Sequence, residues 1–320
     1  MGREHRLSRD ARLRKEGNRW PPGIPAALYP GKVTRYDISP TRPLAGVDVG
    51  EDFLDLAILD GTERRIRFAR VELTSIVDHP VKRIAERISR VAPELRGRAI
   101  ALIDSPSTPL ADRAPTHQRD LDIALRAAIA ALNRGREPRL RIRLSLFPTP
   151  TVEYFVRCAS DANCKPHLMR IARELLKILP ARPGRRRSGG GWLFTRFMLA
   201  GFAAHRALAH LGVDTFESYP HLAFSLWKTG REALPPKSQR TTALTARQAI
   251  LTRLAADRGI NLPSPKFLDE ADAAVLAITT RLSEGGTALV FQSDTHGRFL
   301  LPLAARDLSA YEAQAFPGKL

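Results

Sequence analysis

The rhythm of apolar and polar positions changes at Leu44. Leu44 to Val49 is an apolar run interrupted by Asp48, Gly50-Glu51-Asp52 is a turn, and Phe53 to Leu59 is a second run. Asp60-Gly61 is a hairpin signal and Ile66 to Leu73 a third run, so three strands in a meander are expected. The third run changes phase near Ala69, which predicts a β-bulge there. Asp78 is then placed to cap a helix with Pro80 in its first turn, and Val81, Ile84, Ile88 and Val91 recur at helical spacing. Ala99 to Ile103, AIALI, is apolar throughout and suits a central parallel strand ending at Asp104-Ser105-Pro106. A meander, a crossover helix and a buried strand predict an α/β core whose first and fourth strands lie side by side.

From 107 to 212 the pattern is mostly helical, over Leu121 to Leu132, Leu168 to Leu179 and Trp192 to Leu211, with an alternating stretch at 139–147. This region reads as a helical insertion. Val213 to Glu217 supplies a fifth strand, making a mixed five-stranded sheet. Helices follow at 221–229 and 240–258 and from Leu268, and TALVFQ and RFLLPL form a closing hairpin around SDTHG. Residues 44–305 thus read as one domain, 1–43 as a basic, proline-rich arm with a short helix at 5–17, and 306–320 as a tail.

Charge changes the picture next. The chain has 51 Lys plus Arg against 33 Asp plus Glu, a net +18. Arginine supplies most of this excess, and its planar fork suits phosphate oxygens, so a nucleic acid is the expected partner. Arg182, Arg185, Arg186 and Arg187, in RPGRRRSGGGW, are candidates for a phosphate backbone. The three glycines there are not followed by Lys-Ser or Lys-Thr, which argues against a P-loop. No apolar run reaches the ~18–20 residues of a membrane span, and the charged N-terminus lacks a secretory h-region. With two cysteines in the chain, a disulfide framework is not expected and a cytoplasmic location is. Cys158, Cys164 and His167 lack a fourth ligand for a zinc site.

Candidate chemistry centres on acids at the ends of elements. Asp48 lies within the first strand, Asp104 closes the fourth and Glu217 the fifth, while Asp269 and Asp272 share a helix face in a first turn. Groups at the carboxyl ends of neighbouring parallel strands converge on one crevice. Converging carboxylates repel unless cations neutralise them, and Mg²⁺ or Mn²⁺ with oxygen ligands is the expected solution. Each acid taken singly has a structural alternative: a turn start for Asp104, a helix cap for Asp269, dipole complementarity for Asp272 and an arginine partner for Glu217. His221 and His296 lie near the same edge, and Trp192, Phe194 and Phe197 recur at helical intervals as a core face.

GVDVG, LIDSPSTPL, RDLDIALR before LFPTP, ESYPHLAFSLW and DEADAAVLAITT resemble, in that order, the motifs of the domain of unknown function family 429, whose members are predicted RNase H-like nucleases. The similarity spans residues 44 to 303. It implies an RNase H-like fold with Asp48, Asp104, Glu217 and Asp272 at a metal site, Asp269 beside them, and two-metal-ion hydrolysis of phosphodiester bonds. Gly-Glu-Asp-Phe after the first strand and the serine of Asp-Ser-Pro depart from the family pattern. Two alternatives belong to other classes. One is a nucleic-acid-binding protein with a degenerate site. The other is an actin-like phosphotransferase, whose first phosphate loop GVDVG also resembles but without the Ser or Thr expected after it.

Overall fold

The computed structural model describes residues 32–50, 52–62, 64–73, 76, 79–107, 120–134, 190–229, 233–283, 287–293 and 297–315. The elements in chain order are β1 (Lys32–Tyr36), β2 (Leu44–Val49), β3 (Phe53–Leu59), β4 (Ile66–Glu72), α1 (Val81–Val91), β5 (Ile100–Ile103), α2 (Asp120–Leu132) and α3 (Gly190–His210). They continue with β6 (Asp214–Glu217), α4 (Pro220–Trp227), α5 (Arg240–Ala256), α6 (Leu268–Leu282), β7 (Ala288–Ser293), β8 (Gly297–Pro302) and α7 (Ala305–Ala315). The strands form one mixed sheet of order β1-β7-β8-β6-β5-β2-β3-β4, covered by helices, and the architecture is α/β.

The meander is antiparallel over β2, β3 and β4, while β5 runs parallel to β2, and β6 to β5. Two elements enlarge the expected sheet from five strands to eight. The hairpin β7–β8 joins it through a single parallel register pair, Glu217↔Phe299, and β1 adds antiparallel to β7. Lys32–Tyr36, read from sequence as the end of a basic arm, is therefore the edge strand β1. Part of the expected tail is helix α7.

The predicted bulge near Ala69 is absent, since β3 and β4 stay in unbroken register from Phe53↔Glu72 to Leu59↔Ile66. The phase change has another cause. Ile66 and Phe68 pack on one face of the sheet, and Ala69 and Val71 on the other, so β4 serves two cores in succession. The first core lies between the sheet and α1 with α3, and holds Ala45, Val47, Ile84, Ile88, Ile103 and Ala204. The second lies under α5 and α6, and holds Leu44, Ala57, Leu102, Phe216 and Leu251. A third fills the space among α2, α4, α7 and the β7–β8 hairpin.

Helix α6 is the central helix of the second face. A Cβ on Gly46 would meet the carbonyl oxygen of Ala273 at 1.8 Å, so glycine there lets α6 lie directly against β2. At the far end of α6, Arg281 donates to the carbonyls of Pro40 and Arg42 at 2.5 and 2.8 Å, just before β2 begins. Helix and strand are therefore antiparallel, and the N-terminal turn of α6 stands over the C-terminal end of β2. Helix α1 begins at Val81 with Pro80 as its N-cap residue, and Asp78 lies outside the described residues. So do the stretch 139–147, Leu168 to Leu179, the segment 5–17, and Cys158, Cys164, His167 and His296.

Candidate active site: a carboxylate cluster at the strand ends

Alternation in β2 sends Leu44, Gly46 and Asp48 to the α6 face. In β5, Ile100 and Leu102 pack on that face, and Asp104 follows them in phase. The Asp104 amide still donates to the carbonyl of Val47 at 2.9 Å, which prolongs the parallel ladder and carries Asp104 alongside Asp48. Asp48 is 6% exposed. Hydrogen bonding between the two carboxyl groups works against the rise in the Asp104 pKa.

The start of α6 adds Asp269, in its first turn, and Asp272, at the beginning of the next. Asp272 is fully buried and doubly bound: Arg247 Nε of α5 donates to Oδ1 at 3.0 Å, and Lys237 Nζ lies 2.6 Å from Oδ2. Arg247 is itself buried, donates to the carbonyl of Ala243, and stacks on Phe224. Lys237 comes from the proline-rich link between α4 and α5, and its side chain is 51% exposed.

Electrostatics follow from this packing. Burial raises the Asp48 pKa well above the ordinary aspartate value; Asp104, Asp272 and Asp269 push the same way and Lys237 opposes them. Asp104 is pushed up to about 7, first by burial, with Lys237 opposing and the carboxylates of Asp272 and Asp269 adding to the rise. Asp269 is raised by burial, with Lys237 and Arg70 opposing Asp55 and Asp272. Burial favours the neutral form of Lys237, yet Asp272, Asp48 and Asp104 outweigh it and raise its pKa. His221, in the first turn of α4, is lowered by burial and by Arg247 and Lys237, against Asp272. The cluster is thus an anionic site in which Lys237 and Arg247 supply the opposing charge.

Asp55 belongs to this neighbourhood and was not singled out from sequence. It pairs in register with Asp48, is 2% exposed, and receives Arg70 Nε and Nη2 at 2.7 and 2.6 Å. The signal was available: Asp55 interrupts FLDLAIL just as Asp48 interrupts LAGVDV. Lys237 carried no such signal, because nothing in ALPPKSQR shows where that link folds back.

Glu217 is not brought to the aspartates. Its register partner is Ile103, which packs in the core on the opposite face. There the backbone amide and hydroxyl of Ser107 both donate to its Oε1 at 2.7 Å, and Gly297 lies close enough that a Cβ would press on Ser107. Asp269 does not cap α6, whose N-cap residue is Phe267. Phe197 packs against the first core, as its spacing predicted. Arg182, Arg185, Arg186 and Arg187 lie outside the described residues.

Among the described residues no three His, Cys, Asp or Glu side chains stand as a formed metal cage. Asp272 is ion-paired with Lys237 and Arg247, Asp55 accepts from Arg70, and Glu217 accepts from Ser107. Asp48 and Asp104 are two adjacent oxygen donors at the ends of parallel strands, and that chemistry suits a hard divalent ion. No helix among the described residues is long and apolar enough to cross a membrane. Comparison with protein-family models, curated proteins and solved structures finds no match to this chain.

Proposed function

We propose that the protein is a divalent-cation-dependent nuclease that hydrolyses phosphodiester bonds of nucleic acid on an RNase H-like core. The observation that carries this is the Asp48–Asp104 pair, set at the ends of adjacent parallel strands and faced by Asp272 from the start of α6. The order β4-β3-β2-β5-β6, a meander continued by parallel strands, supports the RNase H-like part of the proposal.

Asp48 and Asp104 would hold Mg²⁺ or Mn²⁺, which supplies Lewis acidity toward a phosphate oxygen and a water of lowered pKa. The protein's own groups do the rest. Binding of such an ion would compete with the proton that burial favours on Asp48, and the N-terminal end of α6 favours negative charge at this spot. Arg247 holds the Asp272 carboxylate in place. Lys237 offers a cation at the rim that a phosphate can meet. The two-ion form of the reaction also recruits Asp272 and Asp269, and it requires Lys237 to leave Asp272. Glu217, on the other face, stays outside this set. The basic arm and the arginines at 182–187 add backbone affinity independent of sequence.

The double occupation of Asp272 favours a second reading, a nucleic-acid-binding protein with a degenerate site. The two are separated by titrating Mn²⁺ into the protein by calorimetry and assaying labelled DNA and RNA in parallel. The nuclease predicts Mn²⁺ uptake with proton release, and cleavage that Asp48→Asn abolishes. Salt-sensitive nucleic-acid binding with neither uptake nor cleavage would establish the second reading instead.

A further inference from the structure

Across the three strands of the meander, the α6 face carries a row beginning at Asp48 and continuing through Asp55 to Arg70. The row ends in an aromatic group. Arg70, whose Nε and Nη2 are bound to Asp55, stands with its guanidinium carbon 4.4 Å from the ring centre of Phe53 and 5.7 Å from that of Phe267. Phe53 is set by Gly50, where a Cβ would strike the ring at 2.6 Å, so the second glycine of GVDVG makes room for this aromatic. Phe267 is the large hydrophobic side chain left exposed among the described residues, at 54%.

Phe53 and Arg70 line a cleft of about 330 Å³ together with Asp52, Glu72 and Leu73, and Phe267 adjoins it through Arg70. That volume is near the lower bound of ~300 Å³ for small-ligand pockets, the scale of one nucleoside. Two strand spacings of about 4.8 Å separate Arg70 from Asp48, so the group lies roughly 10 Å from the carboxylate pair. A nucleotide adjoining a phosphate at Asp48 would reach it.

We propose that Phe53, Arg70 and Phe267 form a stacking subsite for one unpaired base of a single-stranded nucleic acid, next to the carboxylate site. The chemistry selects a base rather than a phosphate. Aromatic faces and a flat guanidinium held edge-on by Asp55 stack on any base. Asp52 and Glu72 repel a phosphate but accept hydrogen bonds from amino-bearing base edges, as carboxylates do from cytosine N4. A base inside a duplex is already stacked on both sides and gains nothing here, so the subsite favours single strands. The inference rests on the nucleic-acid partner of the proposed function, though not on catalysis.

The test is fluorescence anisotropy with the full chain in EDTA, where cleavage plays no part. The probes are a labelled oligodeoxycytidine, an abasic strand of the same length and a blunt duplex. Phe267→Ala should weaken oligodeoxycytidine binding at least about fivefold and leave the abasic strand and the duplex within about twofold. Phe267→Trp should restore it, and Phe53→Ala should reproduce the loss. Because Phe267 is exposed, its alanine variant should melt with the wild type, and Phe267→Gln provides an independent truncation if alanine folds poorly. Equal losses on all three probes, no loss on any, or a wild type that binds none of them overturns the subsite. Base-dependent binding by a protein that never cleaves would overturn the nuclease and leave the subsite standing.

Discussion

Two aspartates on neighbouring parallel strands, at opposite ends of the sheet, behave in opposite ways. Asp214 opens β6 beside Ile100 and receives Arg298 Nη2 at 3.0 Å, Arg42 Nη2 at 3.5 Å and the Tyr36 hydroxyl at 3.2 Å. Burial alone would raise its pKa, but the two arginines and the hydroxyl overcome this and lower it, while burial and Asp214 push Tyr36 up to about 12. Asp104, one strand away at the other end, is pushed up to about 7, first by burial, with Lys237 opposing and the carboxylates of Asp272 and Asp269 adding to the rise. Residue type and sheet are the same. Burial raises both, and whether directly bonded cations overcome it decides between a settled ion pair and a group suited to a cation.

Asp272 is buried between Lys237 and Arg247, and removing the arginine should give the largest effect. Arg247→Ala leaves Asp272 buried with only the half-exposed Lys237, and should cost ~3–5 kcal/mol in urea unfolding. The double variant Arg247→Met with Asp272→Leu should recover most of that loss, since it leaves no unpaired charge. A cost for Arg247→Ala within the range of surface substitutions would mean that Lys237 alone neutralises Asp272.

The next effect is a pH dependence of the metal-free protein. Asp48 and Asp104 bind protons more tightly folded than unfolded, so their contribution is complete below pH ~4 and is lost as pH rises toward 7. The loss should amount to about 2–4 kcal/mol, read from melting or urea curves. Asp104→Asn should flatten it, and Mn²⁺ added at pH 8 should restore stability to the wild type but not to Asp48→Asn. A wild-type curve that rises between pH 4 and 7 would show that Lys237 overcompensates the pair.

At the other end the sign reverses. The lowered pKa of Asp214 makes its contribution present above pH ~4 and lost as pH falls further. Arg298 is 36% exposed, so Arg298→Ala should cost about 1 kcal/mol or less near neutrality, with the difference vanishing in acid. A penalty that persists in acid would point to its stacking on the Phe216 ring, at 4.4 Å, instead of the ion pair.

The sequence by itself determined the strands β2 to β5, the side-by-side placement of β2 and β5, and the helix carrying Asp269 and Asp272, because alternation, unbroken apolar runs and helical spacing are local signals. It also determined which acids fall at element ends. The short strand β1 was hidden in a charged, proline-rich stretch, and its partner β7 lies far along the chain. Only the tertiary structure decided that Glu217 faces away, that Arg70 holds Asp55, and that Lys237 and Arg247 close on Asp272. These outcomes depend on register between distant strands and on where a link folds back, and neither leaves a periodic trace in the chain. The balance of charge at a buried carboxylate is a sum over such neighbours, so it exists only once the chain has folded.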